Sequence, residues 1–174
     1  LVKWVSARLR MPLMAPPPLA RAACERAKQT LKVAIKSAGD EWSRRVPQAQ
    51  LEWSRAWLQA ARDPQLVTTQ SFEIQGLRIG GLTWLGLEGE IFVRYQLDLE
   101  AASQEPVVIC GYANGCIGYV PTQDEYERGG YEVEEAYRVY PSVLMIAPQS
   151  DAIIRQAVQD LLRALSEGES TIAR

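Results

Sequence analysis

Gly80 and Gly81 separate two β-rich runs, and the segment beyond them constrains most strongly how this chain folds. "LVTTQSFEIQGLRI" (66–79) alternates, with Phe72 and Ile74 on one side. "LTWLGL" (82–87) returns after the two glycines, the spacing of a tight hairpin. Beyond it, "EGEIFVRYQLDLEAA" (88–102) has few breakers after Gly89 and reads as a helix. "PVVICGYA" (106–113) is the short continuous apolar run of a buried parallel strand. Strand, helix and strand over 82–113 make a βαβ unit, whose crossover is almost always right-handed. A hairpin feeding such a unit implies an α/β fold with a mixed sheet.

The flanking segments supply helices. Residues 1 to 10 alternate like a strand through Val2 and Trp4, and "APPPL" (15–19) stiffens the chain just before a helix start. Leu19, Ala23, Ala27, Leu31 and Ile35 keep helical spacing, Gly39 is a stop, and Asp40 caps a second helix over 41–62. Pro47 is expected to break or kink that second helix, and Trp42, Trp53 and Trp57 to pack the helical pair. Thr122 with Glu125 has the capping-box pattern of a short helix, and Ser150 is placed to cap a last helix with Ile153, Ile154, Ala157, Leu161 and Leu165 inward. The reading is one domain, 1–174: a strand and Pro-rich lead-in (1–18), a helical pair (19–63) and an α/β part (64–174). The chain opens on Leu1 in the middle of an alternating pattern, so it is expected to be incomplete at its N-terminus, and the resemblance described below implies that it is the C-terminal portion of a larger catalytic domain.

Several function classes are excluded by composition. A net charge of −2 gives no broad basic surface for nucleic acid, and no apolar run is long enough for a transmembrane segment. Three cysteines without a CxxC argue against a disulfide framework, and Cys24 and Cys110 sit in apolar surroundings expected to be core. The chain has no histidine, so it cannot by itself build a Ser-His-Asp or Cys-His site or a His-ligated metal centre.

Topology limits where chemistry can sit. In open α/β sheets ligands occupy the crevice beyond the carboxyl ends of the strands. Two segments leave such ends: "LEGE" (87–90) and "GYANGCIGYVPTQDEYERGGYE" (111–132), which holds five glycines and four tyrosines. Glu90 reads either as a carboxylate stabilised at a helix N-terminus or as a metal ligand or general base. Glu88 is the other candidate. Tyr119, flanked by Gly118 and Val120, can donate a hydrogen bond or, as phenolate, bind a metal. Tyr112 and Tyr126 read as packing, Asn114 as a left-handed turn or a substrate-orienting amide, and Cys116 as a thiol with no histidine to activate it. The acidic tract from Asp124 to Glu135 reads as a solvated face.

In order and spacing, "LRIGGLTWLGLEGEIFV" followed by "VVICGYANGCIGYVPTQDEYERGGYEVEEA" resembles the neutral/alkaline, non-lysosomal ceramidase family, and in particular its bacterial members. That family shows a strand ending in a Pro-Gly-Glu turn, then an Asn-rich loop running into Tyr-(Val/Ile)-(Pro/Thr)-Thr, an acidic helix and a Tyr-Glu pair. The likeness runs from about residue 70 to 140. It implies a zinc-dependent amidohydrolase that cleaves N-acyl sphingoid bases with a zinc-activated water. Carried over by motif, Glu90 and Tyr119 are metal ligands and Tyr131 is the catalytic tyrosine near the scissile amide. Asn114 joins Tyr131 in substrate binding. Glu88 stands where the family has proline, and Cys116 where an aromatic or small residue is commoner.

The resemblance also implies that the zinc takes its remaining ligands, two histidines, from a missing N-terminal half of the same protein. The implied partners are therefore that half and a lipid-like N-acyl amide. The competing reading is a non-catalytic binding or structural module that reuses the half-fold.

Overall fold

A computed structural model describes residues 2–16, 20–140 and 144–167. Its centre is the mixed sheet of an α/β fold. Strand β1 (Val2–Pro12) pairs antiparallel with β2 (Thr69–Ile79), and β2 turns through Gly80-Gly81 into β3 (Leu82–Leu87), with Ile79 opposite Leu82. β3 lies parallel to β5 (Val107–Cys110), and helix α3 (Val93–Ala102) makes the crossover. The strand order is β1-β2-β3-β5.

One face of this sheet is the core. Phe72, Ile74, Leu85 and Leu87 alternate onto it and are fully buried, as the period of two requires. Helix α6 (Ser150–Glu167) lies against β1 and β2 and buries Ile154, Ala157, Val158, Leu161 and Leu165 there. Full burial of each large aliphatic side chain contributes about 1.5–3 kcal/mol. Gly76 permits the close approach, since a Cβ there would stand 2.9 Å from Leu165 Cδ1.

The other face carries a second apolar pattern. In register across the strands run Trp4, Leu77, Trp84 and Val108, with Val2, Ile79 and Leu82 as the neighbouring row. Trp4 is 46% and Trp84 39% exposed. Further along, polar residues replace the apolar ones, and Arg8 pairs with Glu73 at 3.0 Å.

Helices α1 (Ala20–Ser37) and α2 (Glu41–Ala60) form the expected pair, and the Asp40 carboxylate accepts from the Ser43 backbone N–H at 2.7 Å. Cys24, Trp57, Leu58 and Leu144 make a small second core beside them. Pro17, Pro18 and Leu19, part of the expected Pro-rich lead-in, lie outside the described residues.

The structure corrects five local expectations. Helix α2 runs unbroken through Pro47: the carbonyl that loses its partner is that of Ser43, which is exposed and can be satisfied by water. Trp42 is 78% exposed with the Arg45 guanidinium over its ring, because it sits about 16 Å along the axis from Trp53, beyond the second core. The segment 88–102 is helical only from Val93. Thr122 precedes helix α4 (Gln123–Arg128) without a side-chain cap, since its hydroxyl donates to the charged Asp124 carboxylate at 2.7 Å, a stronger acceptor. Ser150 is the first residue of α6 rather than its cap, and its hydroxyl points to the Pro12 carbonyl.

Candidate functional site

The turn after β3 and the loop after β5 are fastened to each other by backbone hydrogen bonds. Tyr112 N–H donates to the Gly89 carbonyl at 2.8 Å, and Ala113 N–H to that of Leu87 at 3.1 Å. Next, Glu90-Ile91 forms a short strand, β4, that pairs in parallel with β6 (Tyr119–Val120). Glu90 N–H donates to the Gly118 carbonyl at 2.8 Å. Two glycines make this approach possible. A Cβ at position 89 would stand 2.7 Å from Val120 Cγ2 and 2.9 Å from the Gly118 carbonyl oxygen. Gly118 itself has φ +99°, a conformation L side chains avoid, with the Tyr140 ring 3.3 Å from where a Cβ would be.

This pairing sets Glu90 directly opposite Tyr119. Glu90 is the carboxylate whose proximity bears on both the Tyr119 and the Tyr112 phenol. Burial, then the neighbouring Glu90 carboxylate, raises the Tyr119 phenol above its ordinary value. The neighbouring Glu90 carboxylate is the main cause that pushes Tyr112 up to about 12. Both phenols are thus protonated at neutral pH in the metal-free chain. The Tyr119 ring is held edge-on by Phe92 at 6.2 Å and Tyr140 at 6.3 Å. Tyr131, 58% exposed, begins helix α5 (Tyr131–Glu134).

A polar network fixes the segment that leaves β6. Tyr95 Oη donates to the Pro121 carbonyl at 3.2 Å, and Gln123 N–H donates to Asp151 Oδ2 at 3.1 Å. Arg155 bridges Asp151 at 2.7 Å and Asp98 at 2.9 Å and lies 5.0 Å above the Tyr95 ring. Burial, followed by the neighbouring Asp151 charge, raises the Tyr95 phenol far above its ordinary value, so it stays a donor.

Glu90 and Tyr119 therefore share one region, as the topology argument expects. Asn114 takes the left-handed turn at φ 64°, and its amide faces Glu73 and Gln75 of β2, each at 3.4 Å, rather than the Glu90 pair. Glu88 also turns to β2 and accepts from the Glu73 backbone N–H at 3.0 Å. Glu90 lies in a strand, so the helix-dipole account of it lapses. Tyr126 packs as expected and donates to the Ile146 carbonyl at 2.7 Å. Cys24 is buried, Cys110 is half-buried, and Cys116 is exposed.

Tyr112 is the residue the sequence reading misplaces. It is 60% exposed and lies in the loop, not in the core at a strand end. The strand stops at Cys110, where Gly111 begins the turn. Ending it at that glycine would have put Tyr112 among the loop phenols.

Among the described residues no three His, Cys, Asp or Glu side chains converge as a metal set. The chemistry present is one carboxylate and two phenols, oxygen donors that suit zinc as far as they go. Glu90 and Tyr119 amount to two donors where zinc takes three or four from protein.

Comparison with known proteins gives no matching family model and no matching curated protein. Two solved structures are similar. One, described as a ceramidase complexed with C2, is 33% identical over 62% of this chain, with a TM-score of 0.43. The other, neutral ceramidase from Pseudomonas aeruginosa, is 23% identical over 99% of this chain, with a TM-score of 0.48. This chain spans 17% and 30% of their respective lengths. Among the described residues no helix is long and apolar enough to cross a membrane.

Proposed function

We propose that this chain supplies the glutamate and tyrosine part of a zinc amidohydrolase site of the neutral ceramidase type. The substrate would be an N-acyl sphingoid base or a related N-acyl amide. The observation that carries the reading is the β4–β6 pairing, which makes Glu90 and Tyr119 cross-strand neighbours from two separate sequence blocks. Those are the blocks whose order and spacing resemble the family.

In this reading Glu90 and Tyr119 hold the metal with a carboxylate and a phenol oxygen. The remaining ligands, imidazoles in the family, come from outside this histidine-free chain. Zinc, when bound, lowers the pKa of a water and polarises a carbonyl. Tyr131, exposed at the start of α5, would donate its phenol hydrogen to the amide oxygen as negative charge develops on it. A preorganised donor of that kind contributes about 3 kcal/mol. Asn114 would need to leave Glu73 and Gln75 to reach a substrate, so its substrate role has less support than that of Tyr131.

The test is zinc content and N-acyl amide hydrolysis of the intact gene product beside its E90Q and Y119F variants. Both variants should lose zinc, and unchanged zinc content would reject the assignment. The two-donor limit favours a second reading, a non-catalytic module. An intact product without zinc and without hydrolysis would support it.

A further inference from the structure

Among the described residues, Lys3, Lys28, Arg78, Arg138 and Arg155 are the half-buried cations. All but Arg138 have an acceptor. Lys3 donates to the Leu165 carbonyl, Lys28 pairs with Glu25, Arg78 with Glu105, and Arg155 with Asp98 and Asp151. Arg138, in the short 3-10 turn Ala136–Val139, pairs with no carboxylate among the described residues, and its Nε is buried without a hydrogen-bond partner. A charge withdrawn from water without an acceptor is costly, so such a group calls for a partner outside the fold itself. Two rings hold the guanidinium in place, Trp53 at 5.3 Å and Tyr137 at 5.8 Å. Aromatic faces attract the cation but leave its N–H groups without acceptors in their plane.

Arg138 also lines a hollow of about 560 Å³, whose apolar walls include Met14, Trp57, Val133, Leu144 and Met145. That volume lies within the roughly 300–1,000 Å³ of small-molecule sites. We propose that Arg138 and this hollow bind a monoanionic carboxylate with an apolar body, the carboxylate on the guanidinium and the body against those walls. A planar guanidinium matches a carboxylate through two parallel N–H···O bonds. Glu134 and Glu135 line the same hollow, both exposed and neither paired with Arg138. Their charges oppose a phosphate dianion more than a monoanion, which favours the carboxylate. The site includes neither Glu90 nor Tyr119, so it does not depend on the zinc reading.

The test is calorimetric titration of the intact gene product with acetate, butyrate, hexanoate and octanoate. Affinity should rise about fourfold for each methylene buried. No octanoate binding, or an affinity independent of chain length, overturns the proposal. R138Q should weaken octanoate binding by about 10–100-fold. R138K keeps a cation without the planar fork and should fall between R138Q and the wild type. Should R138Q not fold, R138K decides, and unchanged octanoate binding in either folded variant overturns the site. E90Q should bind octanoate as the wild type does. Loss of binding in E90Q with R138Q unaffected would put the carboxylate at the Glu90–Tyr119 pair, which overturns this inference and leaves the zinc reading standing. Zinc-free protein that still binds octanoate through Arg138 upholds the inference even if the zinc reading fails.

Discussion

Glu90 and Tyr119 face each other across the two-residue strands β4 and β6, with a helix and a strand between them in sequence. Tyr119→Phe keeps the edge-on contacts with Phe92 and Tyr140 and removes only the phenol oxygen. We expect its unfolding free energy to change by no more than about 1.5 kcal/mol while zinc content drops. Denaturant titration beside metal analysis separates the two effects.

Tyr131→Phe should act later in the reaction. The side chain is exposed, so removing its phenol oxygen should leave stability unchanged and zinc bound. If the phenol donates to the developing oxyanion, kcat falls by about 100–1000-fold with KM little changed. A rise in KM at constant kcat would instead make Tyr131 a binding residue only.

Gly118→Ala tests the backbone that brings the pair together. The substitution places a Cβ at φ +99° and against the Tyr140 ring. Where φ is positive, such a change costs more than about 1 kcal/mol. Gly118 lies outside every helix and strand, although Ile117 and Val120 beside it pack into the main core, so the expected result is lower stability with the native circular dichroism retained.

Tyr95→Phe removes the donor to the Pro121 carbonyl and leaves a buried acceptor unmet. A loss of about 1–3 kcal/mol is expected from thermal or urea unfolding. Asp151→Asn should cost a similar amount, because it weakens the link to Arg155 and the bond from Gln123 N–H together.

Acid should reveal the Thr122 bond. The hydroxyl of Thr122, with minor help from Arg128, lowers the Asp124 carboxyl below its ordinary 3.8. A lowered folded-state value stabilises at pH above the unfolded value and is lost as pH falls through the folded one. Thr122→Val should therefore be less stable than wild type near neutrality, with the gap narrowing below pH 3.8.

Local pattern was enough for the hairpin and for α6, because alternation through Phe72 and Ile74 and helical spacing through Ile154 and Leu165 each repeat several times. The β4–β6 pair left no such trace: strands of two residues have no period, and their pairing depends on glycines far apart in the chain. The convergence of the Glu90 turn with the tyrosine loop was legible only from where parallel strands end. Trp42 shows a different gap. Helical spacing gives the face a side chain shares with Trp53, but not how far along the helix a partner extends. Tyr112 was hidden because an apolar run does not announce its last paired residue.

Trp4 and Trp84 stand in register on the open side of the sheet, each only partly screened from water. Their emission should sit toward the red in the free chain and move to shorter wavelength whenever that side is covered. With Trp42, 78% exposed on α2, replaced by Phe so that it does not mask them, the two rings give an optical gauge of that side, readable without a label.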